Sequence, residues 1–386
     1  MFKKTDVYRF LGLVAAFFAL YALTAQRGLG WGDSGEFQFR ILGSAGGALS
    51  GCDSFATAHP LYVALGRLVC HSPFQVTLLS SFFGALSVGG LFLCTRRTWL
   101  AVLFGLSHML WWLSCIAEVQ TMNLAFTAFE TFLLLRYLDT RRLHWMASAC
   151  LLTGLHLSCH NFALLFLPVL AWTAGRAGLK AFALSSGAGA LGASFWIWAV
   201  VTRGLGDVLV GRYGAKVAGV LPANGLETAF NFALAAMSFL VPAVLAWLGR
   251  KEGDGAPREQ RLTLLALFAI NALFFARYFV PDQATFLLPT LFFAYLLVAN
   301  RDGGGSQAPL GERGALTLPV CLAAVQLLLP LAAWAVLARL PAPEGRTPHK
   351  YRNDATYFAL PWKCHDTSAD RCAAECEGEW TGYPRD

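Results

Sequence analysis

Charged side chains are scarce here. Asp, Glu, Lys and Arg make up 14% of the 386 residues, against roughly 25% in a soluble domain, too few to hydrate the surface of a soluble protein this long. The excess of base over acid, a formal charge of +7, does not describe a nucleic-acid binder, because Lys and Arg fall in short clusters between apolar runs and build no basic domain. A convincing small-residue cleavage site is missing after Met1-Phe2-Lys3-Lys4 and the apolar run behind it, so this run reads as a retained first span and not as a removed signal peptide. No internal repeat of fixed period is present, and no firm metal-ligand spacing occurs. What the chain has in excess is hydrophobic residues, 56% of the total, with a mean hydropathy of +0.52. It is an integral membrane protein.

About 20 apolar residues are needed to cross a bilayer core of about 30 Å, and fewer where protein surrounds the helix. On that template the fold class is an all-α polytopic transmembrane bundle. About eleven spans are expected, near 10–26, 76–95, 98–117, 121–138, 143–159, 162–175, 181–201, 228–248, 262–277, 284–299 and 315–338. Sixteen basic residues, among them Lys3, Lys4, Arg96, Arg97, Arg141, Arg142, Arg250 and Lys251, then fall on one side, against seven on the other (Arg27, Arg40, Arg67, Arg203, Arg212, Lys216 and Arg277). The positive-inside rule makes the first side cytoplasmic, with the amino terminus inside and the tail outside. The pair 143–159 and 162–175 fits only if the chain crosses twice, with His160-Asn161 at the outer vertex, or not at all.

The expected organisation is a transmembrane catalytic domain over 1–338, with a first outer loop near 27–75, and an extracytoplasmic tail over 339–386. That loop is long and broken by Gly and Ser between Gly43 and Gly51, a length usually functional or disordered. The run Gly303-Gly304-Gly305-Ser306 reads as a flexible cytoplasmic connector. In the tail, Cys364, Cys372 and Cys376 would meet an oxidising compartment, where at least one disulfide is expected and Cys52 or Cys70 could supply a fourth thiol. Cys94, Cys115, Cys150, Cys159 and Cys321 lie in or beside apolar runs and read as packing.

The topology collects polar residues at one face. Asp33, Glu36, His59, Glu118, His160, Asn161, Asp207, Arg212, Arg277, Tyr278 and Asp282 all come out at or just beneath the outer side. Asp33 and Glu36, three residues apart behind the first span, mark a water-facing mouth, and equally match a capping box for the apolar helix that follows. Glu118 sits where a helix N-terminus favours a carboxylate, and Asp282 after Pro281 matches an N-cap. A pump or channel carries ionisable groups at mid-membrane depth in several spans; the apolar runs here read as nearly free of them, with His156 the main exception. That layout fits an enzyme working at the interface.

Three stretches carry a resemblance: Gly32-Asp33-Ser34-Gly35-Glu36-Phe37, Ala58-His59-Pro60 and Ala117-Glu118-Val119-Gln120-Thr121-Met122-Asn123. They resemble a family of bacterial membrane proteins that also includes the eukaryotic transmembrane protein O-mannosyltransferases, within the GT-C superfamily of polytopic glycosyltransferases. Gly154-Leu155 leading to His160-Asn161, and Asp282 ahead of Phe286-Leu287-Leu288-Pro289, resemble two further blocks, so the likeness runs over about 30–300. The chain departs from the pattern after His59-Pro60, where Leu61-Tyr62 replaces Pro-Gly-Tyr-Pro, and in a longer gap between the acidic motif and His59.

The resemblance implies transfer of a sugar, with mannose as one candidate, from a polyprenyl-phosphate-linked donor to an extracytoplasmic protein, lipid or glycan hydroxyl. The site would face the periplasm or exterior from a bacterial plasma membrane. Asp33 is then the candidate base, with Glu36 beside it. His59, His160, Arg212 and Arg277 are candidates for the leaving phosphate, and Glu118, Asn123, Asn161 and Asp282 for substrate contacts. No cofactor is called for beyond the lipid-linked donor; a divalent metal on Asp33, Glu36 and a histidine lacks ligand spacing to support it. The alternatives from other classes are a transporter or flippase of lipid-linked saccharide, and a non-catalytic assembly partner.

Overall fold

The computed structural model describes residues 3–28, 30, 33–43, 54–209, 225–248, 257–278, 283–300, 314–337 and 339. Among them there are helices and no strands. In chain order the α-helices are α1 (Lys4–Thr24), α2 (Asp33–Leu42), α3 (Pro60–Val69), α4 (Pro73–Thr95), α5 (Thr98–Gly105), α6 (His108–Ser114), α7 (Gln120–Thr140) and α8 (Leu143–His156). They are followed by α9 (Leu167–Arg176), α10 (Leu179–Gly192), α11 (Ser194–Arg203), α12 (Leu205–Leu209), α13 (Gly225–Leu248), α14 (Arg258–Arg277), α15 (Leu288–Ala299) and α16 (Gly314–Leu337). Short 3₁₀ turns occupy Phe55–Thr57, Asn161–Leu165 and Gln283–Leu287.

Among the described residues four helices are long and apolar enough to cross a membrane alone, α1, α4, α13 and α14, and a fifth span results if α10 and α11, bent by 67° at Ala193, are taken together. Of the other expected spans, α7 is unbroken and 21 residues long but less apolar, and several are shorter or broken. The run 98–117 divides at Leu106-Ser107 into α5 and α6, and the run 162–175 is a 3₁₀ turn followed by ten residues of α9. At about 1.5 Å per residue, α8, with 14 residues, falls short of a bilayer core. The first outer loop is partly helical: α2 and α3 fill much of it. Arg212, Asp282, the glycine connector, Cys52 and the tail cysteines lie outside the described residues. The six described cysteines, Cys70 included, are free thiols.

Local sequence explains the helix ends. Ser72 accepts the Gln75 N–H at 3.4 Å ahead of Pro73, starting α4 with a polar cap and a residue that needs no donor. Arg96 and Arg141 end α4 and α7 in the left-handed region, at φ 60° and 56°, a conformation that glycine more often supplies. Each also ties two helices at that end, Arg96 to Asp6 at 2.5 Å and Arg141 to Glu259. At the opposite end the Gln26 N–H donates to Cys115 O at 2.8 Å, joining the exits of α1 and α6, and the Leu61 N–H donates to Ser158 O at 2.9 Å.

Apolar helices surrounded by lipid gain little from hydrophobic burial against each other, so close approach through small residues holds them. Gly154 of α8 and Gly192 of α10 show this. A Cβ on Gly154 would lie 2.2 Å from Gly189 O, and one on Gly192 would lie 2.1 Å from Leu151 O. Gly84 faces Ser114 and Gly90 faces Ala128 in the same way, seating α4 against α6 and α7. Exposed Leu23, Leu179 and Val201 leave the outer surface apolar. We expect Gly192→Val to destabilise the detergent-solubilised protein by about 1–3 kcal/mol through overpacking. Gly187→Ala, in the same helix with nothing within 4 Å of its added carbon, should be neutral or slightly stabilising; thermal unfolding of the two variants checks both.

Candidate functional site

The acidic motif forms the first turn of α2, where the helix dipole favours negative charge. Asp33 and Glu36 are exposed, whereas Phe37, Gln38 and Arg40 are buried. Gln38 anchors the helix: its Oε1 accepts the Gly30 N–H at 2.6 Å, and its Nε2 donates to Gly28 O and Pro73 O, each at 3.2 Å. Arg40, with its side chain 1% exposed, stands 3.7 Å from Glu36 and donates to Ala58 O at 2.5 Å. Arg67 donates to Arg40 O through Nε at 2.9 Å and Nη2 at 2.7 Å. Two arginines, Arg40 and Arg67, therefore tie α2 to α3 and the turn before it.

That link positions His59, which caps α3 in the left-handed conformation at φ 45°, ψ 52°, an uncommon backbone for a residue with a Cβ and one that collects at functional sites. Its Nδ1 lies 2.9 Å from Cys159 O, so this nitrogen carries the proton and Nε2 presents a lone pair. Among the described residues Nε2 has no hydrogen-bond partner. The ring stacks on His160 at 4.9 Å and meets Phe37 edge-on at 5.6 Å. Asp33 precedes Phe37 by one helical turn, on the side of α2 that faces His59.

His160 caps the 3₁₀ turn after α8 and is 9% exposed. Its Nδ1 accepts the Phe162 N–H at 3.1 Å, and its Nε2 lies 3.3 Å from the Gln120 amide. Both ring nitrogens are thus engaged within the protein. Burial first, then the neighbouring His59 and His156, hold its protonation well below the ordinary histidine range. Around it Phe162, Phe286, Tyr278 and Phe274 form an aromatic wall with successive centroids 4.9–5.1 Å apart. Asn161 is a structural tie: its Nδ2 donates to Val208 O at 2.7 Å and its Oδ1 accepts from Trp196 at 3.2 Å. Glu118 is clamped through its backbone by Ser80, which accepts its N–H at 2.8 Å and donates to its carbonyl at 2.9 Å. Arg277 is exposed in the last turn of α14.

Asn123 lies below this surface, in a polar chain that the sequence reading did not assemble. It connects to Gln120 at 3.1 Å and to His156 Nε2 at 2.7 Å, and His156 Nδ1 lies 2.9 Å from Glu130 Oε1. Glu130 has no exposure and His156 has 1%. The expectation that His156 is the main ionisable residue within the apolar runs is corrected by this carboxylate, ten residues into α7. The available signal was periodicity: Gln120, Asn123, Thr127 and Glu130 recur at helical spacing on one face of an otherwise apolar segment. Among the described residues no group of three His, Cys, Asp or Glu side chains could hold a metal ion.

No protein-family model matches the chain, and no curated protein matches it. Solved structures similar to it in fold include ArnT from Cupriavidus metallidurans bound to undecaprenyl phosphate, with a TM-score of 0.60 at 15% identity over 92% of this chain and 69% of that one. The apo form of ArnT gives a TM-score of 0.60 at 16% identity, over 96% of this chain and 72% of that one. The bundle thus shares the GT-C fold of ArnT, and the chain is an integral membrane protein.

The ring of His59 supplies a test of this geometry. Burial, and after it the Arg40 guanidinium, oppose its protonation, outweighing the Cys159 carbonyl and lowering its pKa to about 4. The unfolded chain protonates near 6.5, so between these values the unfolded state binds more protons, and stability falls as pH drops through the window. Melting temperature is therefore expected to decline from pH 7 to pH 4.5. His59→Asn, which tolerates the left-handed backbone and retains a donor for Cys159 O, should flatten that decline.

Proposed function

We propose that this chain is a membrane glycosyltransferase that moves a sugar from a polyprenyl-phosphate-linked donor to a hydroxyl on the extracytoplasmic side. The observation that carries the reading is the fold likeness to ArnT, crystallised with undecaprenyl phosphate, combined with an exposed carboxylate at the first turn of α2, one helical turn before the Phe37 ring that meets His59. The donor's isoprenoid tail needs lipid and its sugar phosphate needs water, so the reacting carbon belongs at the boundary where these residues gather. The same reading takes the full eleven crossings, amino terminus inside, and a bacterial plasma membrane as the setting. The O-mannosyltransferase branch and mannose follow from the sequence motifs alone.

In the proposed displacement the acceptor oxygen attacks the anomeric carbon as its proton passes to the Asp33 carboxylate. The carbon–oxygen bond to phosphate breaks with its electron pair going to the leaving polyprenyl phosphate, whose growing charge requires cations. Arg277 and Arg212 are assigned there. His59 and His160 leave that role: neutral, the first half-buried and the second buried, they are poor partners for an anion, and the lone pair on His59 Nε2 suits acceptance of a sugar or acceptor hydroxyl. Glu36, held near Arg40, orients the first turn.

The Glu130–His156 pair, buried between two helices, favours one second reading, a transporter or flippase of lipid-linked saccharide, because intramembrane ionisable pairs commonly serve ion or substrate movement. Incubating the purified protein with radiolabelled polyprenyl-phosphate sugars and membrane extract separates the two. Transfer of label to an acceptor, reduced by about 10²–10⁴-fold in Asp33→Asn with donor binding retained, is expected; label crossing a vesicle membrane without any bond to an acceptor favours transport.

A further inference from the structure

The buried chain of polar groups runs from His160 through Gln120, Asn123 and His156 to Glu130, its four links 3.3, 3.1, 2.7 and 2.9 Å long. Every member is at most 9% exposed, so its donors and acceptors have to be met within the protein; Glu130 does so through Oε1, while its Oε2 has no hydrogen-bond partner among the described residues. Only one sense of hydrogen bonding does this for both rings. His160 Nδ1 accepts from the Phe162 backbone at 3.1 Å, so a neutral His160 carries its proton on Nε2 and must donate to Gln120. If the Asn123 amide nitrogen points at Gln120 Oε1, the Gln120 amide nitrogen faces His160 Nε2, and that ring would hold two acceptors and no proton. Oxygen and nitrogen of a side-chain amide occupy equivalent positions, and exchanging them in both residues removes the conflict at unchanged distances. Gln120 then donates to Asn123 Oδ1, Asn123 donates to His156 Nε2, and His156 donates from Nδ1 to the Glu130 carboxylate, which accepts only.

We propose that Glu130 and His156 are positioning residues that lock the two buried imidazoles in opposite tautomers, His156 with its proton on Nδ1 and His160 with its proton on Nε2. Glu130 acts through His156 and the two amides on His160, the ring against which His59 stacks at 4.9 Å. Its consequence for the site rests on the proposed transfer reaction: a neutral His160 of defined polarity holds the His59 ring so that Nε2 meets a substrate hydroxyl. The direction of the four links is set from both ends, by the Phe162 amide that donates to His160 and by the carboxylate, the one member of the chain that accepts without donating.

The test is ¹⁵N NMR of the full chain in detergent with labelled histidine, His156 and His160 being assigned by the signals lost in His156→Gln and His160→Gln. In the wild type His156 should appear as the Nδ1–H form and His160 as the Nε2–H form. Glu130→Gln retains an acceptor oxygen and should preserve both tautomers. Glu130→Met has similar length and no acceptor, and should release His156 to the Nε2–H form and disturb the Phe162 amide signal. Wild-type His156 in the Nε2–H form, either ring as imidazolium at pH 7, or a Glu130→Met spectrum like that of the wild type would overturn the assignment; the first two need neither Glu130 variant to fold. Sugar transfer assayed on the same samples should follow the tautomers, kept in Glu130→Gln and reduced in Glu130→Met. A wild type with the assigned tautomers and no transfer at all would overturn the glycosyltransferase reading and leave the tautomer lock standing.

Discussion

A carboxylate sealed inside an apolar bundle must find a donor there, since an unpaired charge in such a medium costs several kcal/mol or more. Glu130 has no exposure, and His156 meets it across the α7–α8 contact. That one requirement sets how far α8 extends, because His156 is its last residue. The turn that follows carries Ser158, Cys159 and His160 at a depth fixed by the pair. Ser158 O then receives the Leu61 N–H and Cys159 O meets the His59 ring, so the segment leading into α3 takes its place from a group buried one layer below.

Backbone capture continues the organisation outward. Arg40 and Arg67 direct their guanidinium groups to carbonyls of Ala58 and Arg40, and Asp207 accepts the Phe55 N–H at 3.1 Å while pairing with Arg203 at 2.8 Å. Irregular backbone at the membrane boundary carries many unpaired donors and acceptors, and in a lipid protein these must be met by other protein groups. Charged side chains at this end therefore serve the fold first. Asp33, Glu36 and Arg277 are exposed.

Between the two ends the helices hold by shape. Glycines at 84, 90, 154 and 192 admit a neighbour where a methyl group would collide, and the aromatic wall from Phe162 to Tyr278 closes the site on the side of α14. Gly154 thus has a packing reason for its place in the motif that ends at His160-Asn161. Asn161 has a structural one, tying the turn to α12. Motif residues that looked alike in the sequence divide here into those that build the bundle and those that remain open to solvent.

Composition and hydropathy by themselves determined that this is a helical membrane protein, because charge is excluded from hydrocarbon along every segment independently of its neighbours. The motifs around Asp33, His59 and Glu118 likewise pointed to the GT-C fold. What only the tertiary structure decided is which polar residues are available: the spacing of Asn123 and Glu130 on one helix says that they share a face, and not that His156 from the next helix lies between them. The left-handed backbone of His59 and the double engagement of His160 arise from contacts across about 100 and 40 residues of chain. Hydrogen-bond partners brought together by packing leave no local pattern, and a histidine that binds substrate and one that fills a turn are written with the same letter.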